Sequence, residues 1–583
     1  MSTDPILGSF FGDDAFPVEW TSEAEKSQFW VYDDLHCPRP ISPMYFDIGG
    51  WWLSCDHMFR RFGTPFASDW LAKNINGYVY TAAIPADPEL DVSAQEYGAR
   101  YAARVPMDGS YAERIGAYLN TVLPVYGLQF ADWWRDRLVP EMKRNYAYLE
   151  ERFSHEDELS LAEAAILLED AIDIHDRHWK IHWMMNFAQL SATTGLEATA
   201  KKVKGDVDPT ILARLQNSAA DRNWDSIEAL WKMKQEVVED PELRRAFGEA
   251  PAPAIMAALE GSERGRTFLR ERLEPYKDEY GWHAVWSHEV QYRTVVEDPT
   301  PVLDLIKGYV EQDYDYPSAL EALRDDLDEA KRELLAGVEG EALAELSMAV
   351  EINEKMAPLT PDHHFYIDQG ANAHLRAALL VVGRKLVALG VLEQPDDIAF
   401  LRYLEMRALV GDPHALDARA AVAEARRADA EALKIHPRDW VGTVTESKLN
   451  FPYWTLWGFP QKFERSAGPA ADNGSTSIEG IAGSSGVVEG IAKVINTMSD
   501  FDQVQRGDVL VCQMTNPAWV VLFTKIAAVV TDTGGVASHP AVLAREFGMP
   551  AVVGTSVGTS RISSGDRLRV NGDSGVVEVL SHS

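Results

Sequence analysis

A multidomain α+β chain is predicted, with a large, mainly α-helical domain followed by a small α/β domain. Three observations predict it. Helical periodicity dominates from about Ser154 to Ala430. A small, polar, Pro/Gly-rich stretch lies between Glu464 and Ser477. After it the texture changes to short apolar runs broken by glycines. The length, 583 residues, is compatible with about four domains or fewer large ones.

Residues 1–150 form the first part of the large region and are rich in Trp, Tyr, Phe and Pro. Examples are Phe29-Trp-Val-Tyr, Pro38-Arg-Pro-Ile-Ser-Pro-Met-Tyr-Phe46, Trp51, Trp52, Trp133 and Trp134. Such density makes a core, or lines a cavity for a flat apolar ligand. Residues 151–463 read as the helical domain. Ser160 with Glu163 is a capping box that opens a long helix, and Ser318 with Glu321 repeats the device. Leu320, Leu323, Leu327, Ala330 and Leu334 then follow at helical spacing. A third helix is predicted over Ala371–Leu389, striped by Leu375, Leu379, Val382, Leu386 and Leu389, with Gly390 as its C′ residue. Residues 464–477 read as a flexible linker. In 478–583, strands are predicted at Val487-Val488, Ala492–Ile495, Val509–Cys512, Ala527–Val530 and Ala551–Val553. One helix is predicted over Pro540–Phe547, and a closing hairpin spans Asn571-Gly-Asp-Ser-Gly.

Composition excludes several classes. Net charge is −35. Residues 478–583 hold 7 Lys+Arg against 10 Asp+Glu, so nearly all the excess lies upstream. An acidic surface of this kind does not bind a nucleic-acid backbone, which needs clustered Lys and Arg. The three cysteines, Cys37, Cys55 and Cys512, show no metal-type spacing, and an odd count does not suit a disulfide framework. No basic leader with an apolar core opens the sequence and no run of 18 apolar residues occurs, so a cytoplasmic protein without membrane association is expected.

The stretch with the most chemistry is Thr531-Asp-Thr-Gly-Gly-Val-Ala-Ser-His-Pro540. A buried strand ends in a Gly-Gly turn, a histidine follows, and a helix starts at once. Pro540 suits the first turn because it has no N–H to leave unpaired. An anion on the His539 ring would then meet free backbone N–H groups and the positive end of the helix dipole. Gly534 and Gly535 allow close backbone approach, and Thr533 and Ser538 offer hydroxyl donors. A neutral imidazole is a competent nucleophile near pH 7. The same pattern also fits a capping histidine beside a glycine turn.

Five motifs in order extend the pattern: Gly483-Ser-Ser-Gly-Val-Val-Glu-Gly-Ile-Ala-Lys-Val494, Gly507-Asp-Val-Leu-Val511, Thr515-Asn-Pro-Ala-Trp519, Gly535-Val-Ala-Ser-His539 and Ala544-Arg-Glu-Phe-Gly-Met-Pro-Ala-Val-Val-Gly554. With them, Ile478–Leu580 closely resembles the swivelling phosphohistidine domain of the phosphoenolpyruvate-utilising enzymes. That family includes pyruvate phosphate dikinase, phosphoenolpyruvate synthase, rifampin phosphotransferase and phenylphosphate synthase. The resemblance implies that His539 is the phosphohistidine, beside a phosphate loop of Thr533, Gly534, Gly535 and Ser538. Pro540 departs from the small residue usual in the family.

A phosphohistidine needs a donor, yet the sequence shows no Walker A loop, no ATP-grasp-like Lys-bearing β stretch and no Gly-Thr-Asn-Asp barrel signature. The arrangement resembles the two-subunit phenylphosphate synthase type and its relatives acting on 4-hydroxyacetophenone-type ketones. It implies a separate ATP-grasp subunit that converts ATP to AMP and phosphate with Mg²⁺ and loads His539. The phosphoryl group then goes to a phenolic hydroxyl. Upstream, Pro40-Ile-Ser-Pro43, Asp362-His-His-Phe-Tyr-Ile-Asp-Gln369, Arg376, Gly383 and Pro395-Asp-Asp-Ile398 resemble, more weakly, the helical substrate domain of these enzymes. An antibiotic phosphotransferase without its ATP module, and a phosphocarrier or regulatory protein with no small-molecule acceptor, are the competing readings.

Candidate contacts for substrate or phosphoryl group lie in the helical region. His175, His178 and His182 are spaced i, i+3 and i+7, on the face begun by Leu168, Ala171 and Ile172. They fit satisfied core histidines, a pocket for an aryl hydroxyl, or a zinc site; no metal is expected. Asp368, Asn372 and Arg376 share one face, either a surface ion-pair row or a place where Arg376 meets the phosphoryl group. Lys355 could serve the same end, and His363 or His364 could act as general base.

Overall fold

The computed structural model describes residues 5–34, 36–55, 57, 67–85, 129–205, 207–248, 251–284, 286–311, 313–435, 437–450, 454, 459–460, 463, 477–495, 503–513, 515, 519–523, 525–532, 534, 539–555 and 557–582. The chain divides into two compact units built from non-consecutive segments. The first comprises Met1–Ser191, His288–Gln291 and Tyr366–Ala470; the second comprises Ala192–Ser287, Tyr292–Phe365 and Ala471–Ser583. The sequence reading divides the chain in order instead, and its linker (464–477) lies almost wholly outside the described residues.

The first unit holds an antiparallel sheet of β1 (Ile6–Phe10), β2 (Phe29–Tyr32), β3 (Ala67–Ile75), β4 (Tyr78–Pro85) and β5 (Trp440–Thr445). The order is β1-β5-β2-β4-β3. The aromatic strand β2 is buried along its whole length because it lies inside the sheet, between β4 and β5. β3 and β4 are joined by Asn76-Gly77 alone, both at positive φ (52° and 91°), the two-residue turn whose twist matches that of the strands. Tyr32, Tyr78, Tyr80, Trp30 and Val441 make the core under this sheet. Of the flagged tryptophans here, Trp51, Trp52 and Trp134 are buried and Trp133 is exposed.

The helices of the two units follow the sequence signals closely, with differences at two of them. Helix α1 (Val139–Ser154) precedes α2 (Leu161–Lys204). Ser160 and Glu163 cap α2 reciprocally, with Ser160 N–H to Glu163 Oε2 at 2.8 Å and Glu163 N–H to Ser160 Oγ at 3.3 Å. Helix α3 (Tyr316–Leu335) starts two residues before Ser318: Asp315 is its cap, accepting from Ser318 N–H, because Pro317 is tolerated in a first turn. Helix α4 (Gly340–Met356) follows. Helix α5 (Gly370–Ala388) buries Leu375, Leu379, Val382 and Leu386 of the predicted stripe, whereas Leu389 is its exposed C-cap, and Gly390 follows at φ +76°. It is buried on nearly all sides, not one. Gly383 explains part of this: a Cβ there would stand 2.5 Å from the Pro395 carbonyl oxygen, so only glycine lets that segment lie against α5.

In the second unit, one core is helical, formed by residues such as Val237, Leu243, Ile255, Phe268, Leu303 and Ile306. The C-terminal part is an eight-stranded sheet. Its strands are β6 (Ser477–Glu479), β7 (Ile481–Ser484), β8 (Val487–Val494), β9 (Val509–Cys512), β10 (Ala528–Thr531), β11 (Ala551–Val553), β12 (Arg567–Asn571) and β13 (Val576–Ser581), in the order β6-β13-β12-β8-β9-β10-β11-β7. The run β8-β9-β10-β11 is parallel. Parallel strands covered on both faces need continuous apolar runs, and β9, β10 and β11 are buried throughout. Alternation then sorts them: Val509, Val511, Ala528 and Val530 enter one core, Leu510, Cys512 and Val529 the other. Helix α6 (His539–Glu546) is the crossover between β10 and β11. No described helix is long and apolar enough to cross a membrane.

Candidate functional site: a helix-start histidine and a histidine–tryptophan cluster

His539 is the first residue of α6, and Pro540 the second. The strand before it ends at Thr531, and Asp532 follows, tied to the segment Thr555–Thr559. Its carboxylate accepts from Thr559 N–H (3.0 Å) and the Thr555 hydroxyl (3.0 Å). Burial pushes the Asp532 carboxyl up, and the hydroxyl and amide donors counter it. Gly534 sits at φ +107°, and its carbonyl packs so close to Gly554 that a Cβ there would stand 2.7 Å away. Two glycines of the motif are thereby explained by backbone contact. At its far end α6 is tied down by Arg545, whose Nε–H donates to the Gly483 carbonyl (2.8 Å). Thr533, Gly535 and Ser538 lie outside the described residues.

In the first unit a second constellation forms where β2 ends. Asp33 follows β2 and donates its N–H to the Val79 carbonyl of β4 (2.9 Å). Its carboxylate accepts from His36 Nδ1–H (2.8 Å) through one oxygen and from Trp51 Nε1–H (2.6 Å) through the other. Burial opposes both charges, but their mutual attraction wins: the His36 pKa is raised and the Asp33 pKa lowered. Six rings then close a circuit. His36 meets Trp51 (5.4 Å between centroids), Trp51 meets Trp183 (5.5 Å), and Trp183 meets His182 (5.1 Å). His182 meets Trp179 (4.6 Å), Trp179 meets His288 (5.7 Å), and His288 returns to His36 (5.2 Å). The segment carrying His288 is held by Glu289, which accepts from Ser42 N–H (2.6 Å) and Oγ–H (2.5 Å). Ser42 of the Pro40-Ile-Ser-Pro43 motif thus anchors this wall.

The three helical histidines are all buried. His178 sits in a relay: Asn145 Nδ2–H donates to Nε2 (3.1 Å), Nδ1 contacts the Tyr146 hydroxyl (2.9 Å), and that hydroxyl donates to the Tyr366 carbonyl. His175 Nε2 lies 2.9 Å from Asn372 Oδ1 and 3.0 Å from Trp179 Nε1; the tautomer decides which bond forms. His182 Nε2 lies 3.6 Å from Asp368 Oδ1. Burial lowers the His175 pKa to about 4 and drives that of His178 well below the ordinary value. The unfolded chain therefore binds more protons than the native state between pH 4 and about 6.5. The stability contributed by these two neutral histidines is fully present above pH 6.5 and is lost as pH drops toward 4, by on the order of 3 kcal/mol for His175 alone. Urea unfolding at pH 7 and pH 4.5 measures this, and His175→Gln is expected to flatten the difference.

The surface ion-pair reading of Asp368, Asn372 and Arg376 is corrected: all three are buried, because α5 is covered on the polar side as well. Asn372 Nδ2–H donates to the Asp368 carbonyl (2.8 Å), and the Arg376 guanidinium donates to the Val290 carbonyl (2.6 Å) and to Asp396 (2.6 Å). Lys355, His363 and His364 belong to the second unit. Lys355 is exposed and pairs with Glu351 (2.9 Å). His363 is buried, with Nδ1 3.1 Å from the Leu359 carbonyl, and its ring lies against His364. Asp33, His36 and His288 were not read from the sequence. The only local signal is Asp33 three residues before His36, outside any periodic pattern.

Comparison with known proteins agrees with the C-terminal architecture. Residues 504–575 match the family model "PEP-utilising enzyme, mobile domain". Residues 182–358 match "Rifampicin phosphotransferase fourth domain". The C-terminal domain is a mobile domain of the PEP-utilising enzymes, and the chain has rifampicin phosphotransferases among its relatives. It is 31% identical to the uncharacterized phosphotransferase YvkC of Bacillus subtilis (strain 168), over 69% of this chain and 47% of that protein. It is 29% identical to chondramide synthase cmdD of Chondromyces crocatus, over 97% of this chain and 14% of that one. It is 28% identical to a rifampicin phosphotransferase of Bacillus cereus, over 57% and 38%. The chain thus spans about half or less of the length of these relatives.

Proposed function

We propose that the chain is a phosphotransferase in which His539 takes up a phosphoryl group and passes it to a hydroxyl of a small aromatic acceptor. The match of 504–575 to the mobile domain, with His539 opening the helix after a buried strand, is the observation that carries this reading. Acceptor binding is assigned to the histidine–tryptophan circuit, whose flat faces suit an aryl ring and whose imidazoles suit a hydroxyl. The donor is a separate ATP-grasp subunit using ATP and Mg²⁺ and releasing AMP and phosphate. No residue of this chain is assigned to hold either cofactor.

A second reading, a rifampicin-type antibiotic as acceptor, is favoured by the match over residues 182–358. One assay separates the two. The protein is charged with ³²P through an ATP-grasp partner and offered simple phenols and, separately, rifampicin. Label moving to phenols supports the first reading; label moving to rifampicin alone supports the second. Label that stays on His539 or moves only to another protein overturns both in favour of a phosphocarrier.

A further inference from the structure

We propose that His36 is the general base of the transfer, removing the proton from the acceptor hydroxyl, and that Asp33 is the residue that positions it. This rests on the reading of the chain as an aryl phosphotransferase. The five cluster histidines are His36, His175, His178, His182 and His288. Four are buried, whereas the His36 side chain keeps 20% of its exposure and can meet a ligand. Its Nδ1 is engaged by Asp33, which fixes the tautomer with the proton on Nδ1 and leaves Nε2 as the basic atom. Among the described residues none bonds to Nε2.

The carboxylate itself cannot turn. Trp51 holds its second oxygen, the His36 N–H donates to the first (3.1 Å), and the Asp33 N–H is part of the sheet. A buried carboxylate that orients an imidazole and steadies the imidazolium is the arrangement general-base catalysis needs. His175 and His178 are poor bases by comparison: burial has lowered their proton affinity, and both are spent on internal bonds. The groups around His36 are acidic or neutral: Asp33, Asp34 and Asp368 favour its cation, and His288 and the Cys37 thiol stand nearby.

The acceptor O–H gives its proton to His36 Nε2, and the oxygen forms a bond to phosphorus. The P–N bond to His539 breaks, and its electron pair returns to that imidazole. His36 then releases the proton to water. Such a base matters more for a weakly acidic hydroxyl than for one already ionised.

The test charges His539 with phosphoramidate, which needs no partner subunit, and follows single-turnover transfer to phenols from 4-nitrophenol to 4-methoxyphenol. His36→Gln is expected to slow transfer to 4-methoxyphenol on the order of 10²- to 10⁴-fold while changing 4-nitrophenol far less. The wild-type rate should fall at acid pH, with a midpoint above the ordinary histidine value near 6.5, and this limb should vanish in the variant. Asp33→Asn, which keeps the shape and disturbs the tautomer, should reproduce the acceptor dependence. Equal loss for every phenol, or no loss, overturns the assignment of His36 while the phosphotransferase reading stands. Failure of the wild type to transfer to any phenol overturns both. Circular dichroism and the extent of His539 charging identify a variant that has simply misfolded, and Asp33→Asn then decides the question.

Discussion

His539→Ala is expected to abolish both the phosphoprotein and all transfer to an acceptor, a loss of at least roughly 10⁴-fold. A covalent carrier has no substitute, because the donor and acceptor half-reactions share only the phosphorylated imidazole. The C-terminal domain offers a built-in control. Besides His539 it holds one other histidine, His582, whose exposed ring lies 3.2 Å from Asp566 near the chain end. His582→Ala should charge and transfer normally. The bound phosphate should be stable to base and labile to acid, as an N–P bond is, and should map by mass spectrometry to the peptide holding His539. Full transfer by His539→Ala would remove the basis of the proposed function.

The contrast between the two regions shows what the sequence discloses. In the C-terminal domain each predicted apolar run is a strand or part of one, and the helix over 540–547 is displaced by one residue. Short strands buried on both faces leave a local, continuous apolar record, and the glycines between them mark turns. The capping box at Ser160 was legible for the same reason: both partners lie within four residues.

What escaped is non-local. Strand β5 lies in a stretch read as helical, because its register is set by β1 and β2, more than 400 residues earlier. The row Asp368, Asn372 and Arg376 looked like a surface because a leucine stripe lies opposite. One-sided apolar patterning indicates which face is most apolar, not whether the other is wet. The Asp33–His36 pair is local in spacing, but its meaning depends on Trp51, Trp179, Trp183 and His288, which only the fold brings together.

Arg376→Ala is expected to destabilise the fold by about 3–5 kcal/mol, measured by urea unfolding at pH 7. The side chain is 2% exposed, and its charge is permanent. Removing it leaves the Val290 carbonyl without this donor and opens a cavity beside α5, while the part-exposed Asp396 carboxylate turns to water. Arg376→Lys should recover only part of the loss, since one ammonium cannot reproduce a fork that serves two acceptors. A residue whose task is to meet the phosphoryl group would behave differently: its loss would slow transfer and leave stability intact.

The consequence for the site follows from Val290. It lies two residues after His288 and one after Glu289, so Arg376 pins from one side the same segment that Ser42 pins through Glu289 from the other. Loosening it frees the His288 wall of the aromatic circuit. At temperatures where Arg376→Ala remains folded, the acceptor KM should therefore rise while charging of His539 is unchanged. A variant with normal stability and normal KM but slowed transfer would return Arg376 to the phosphoryl path.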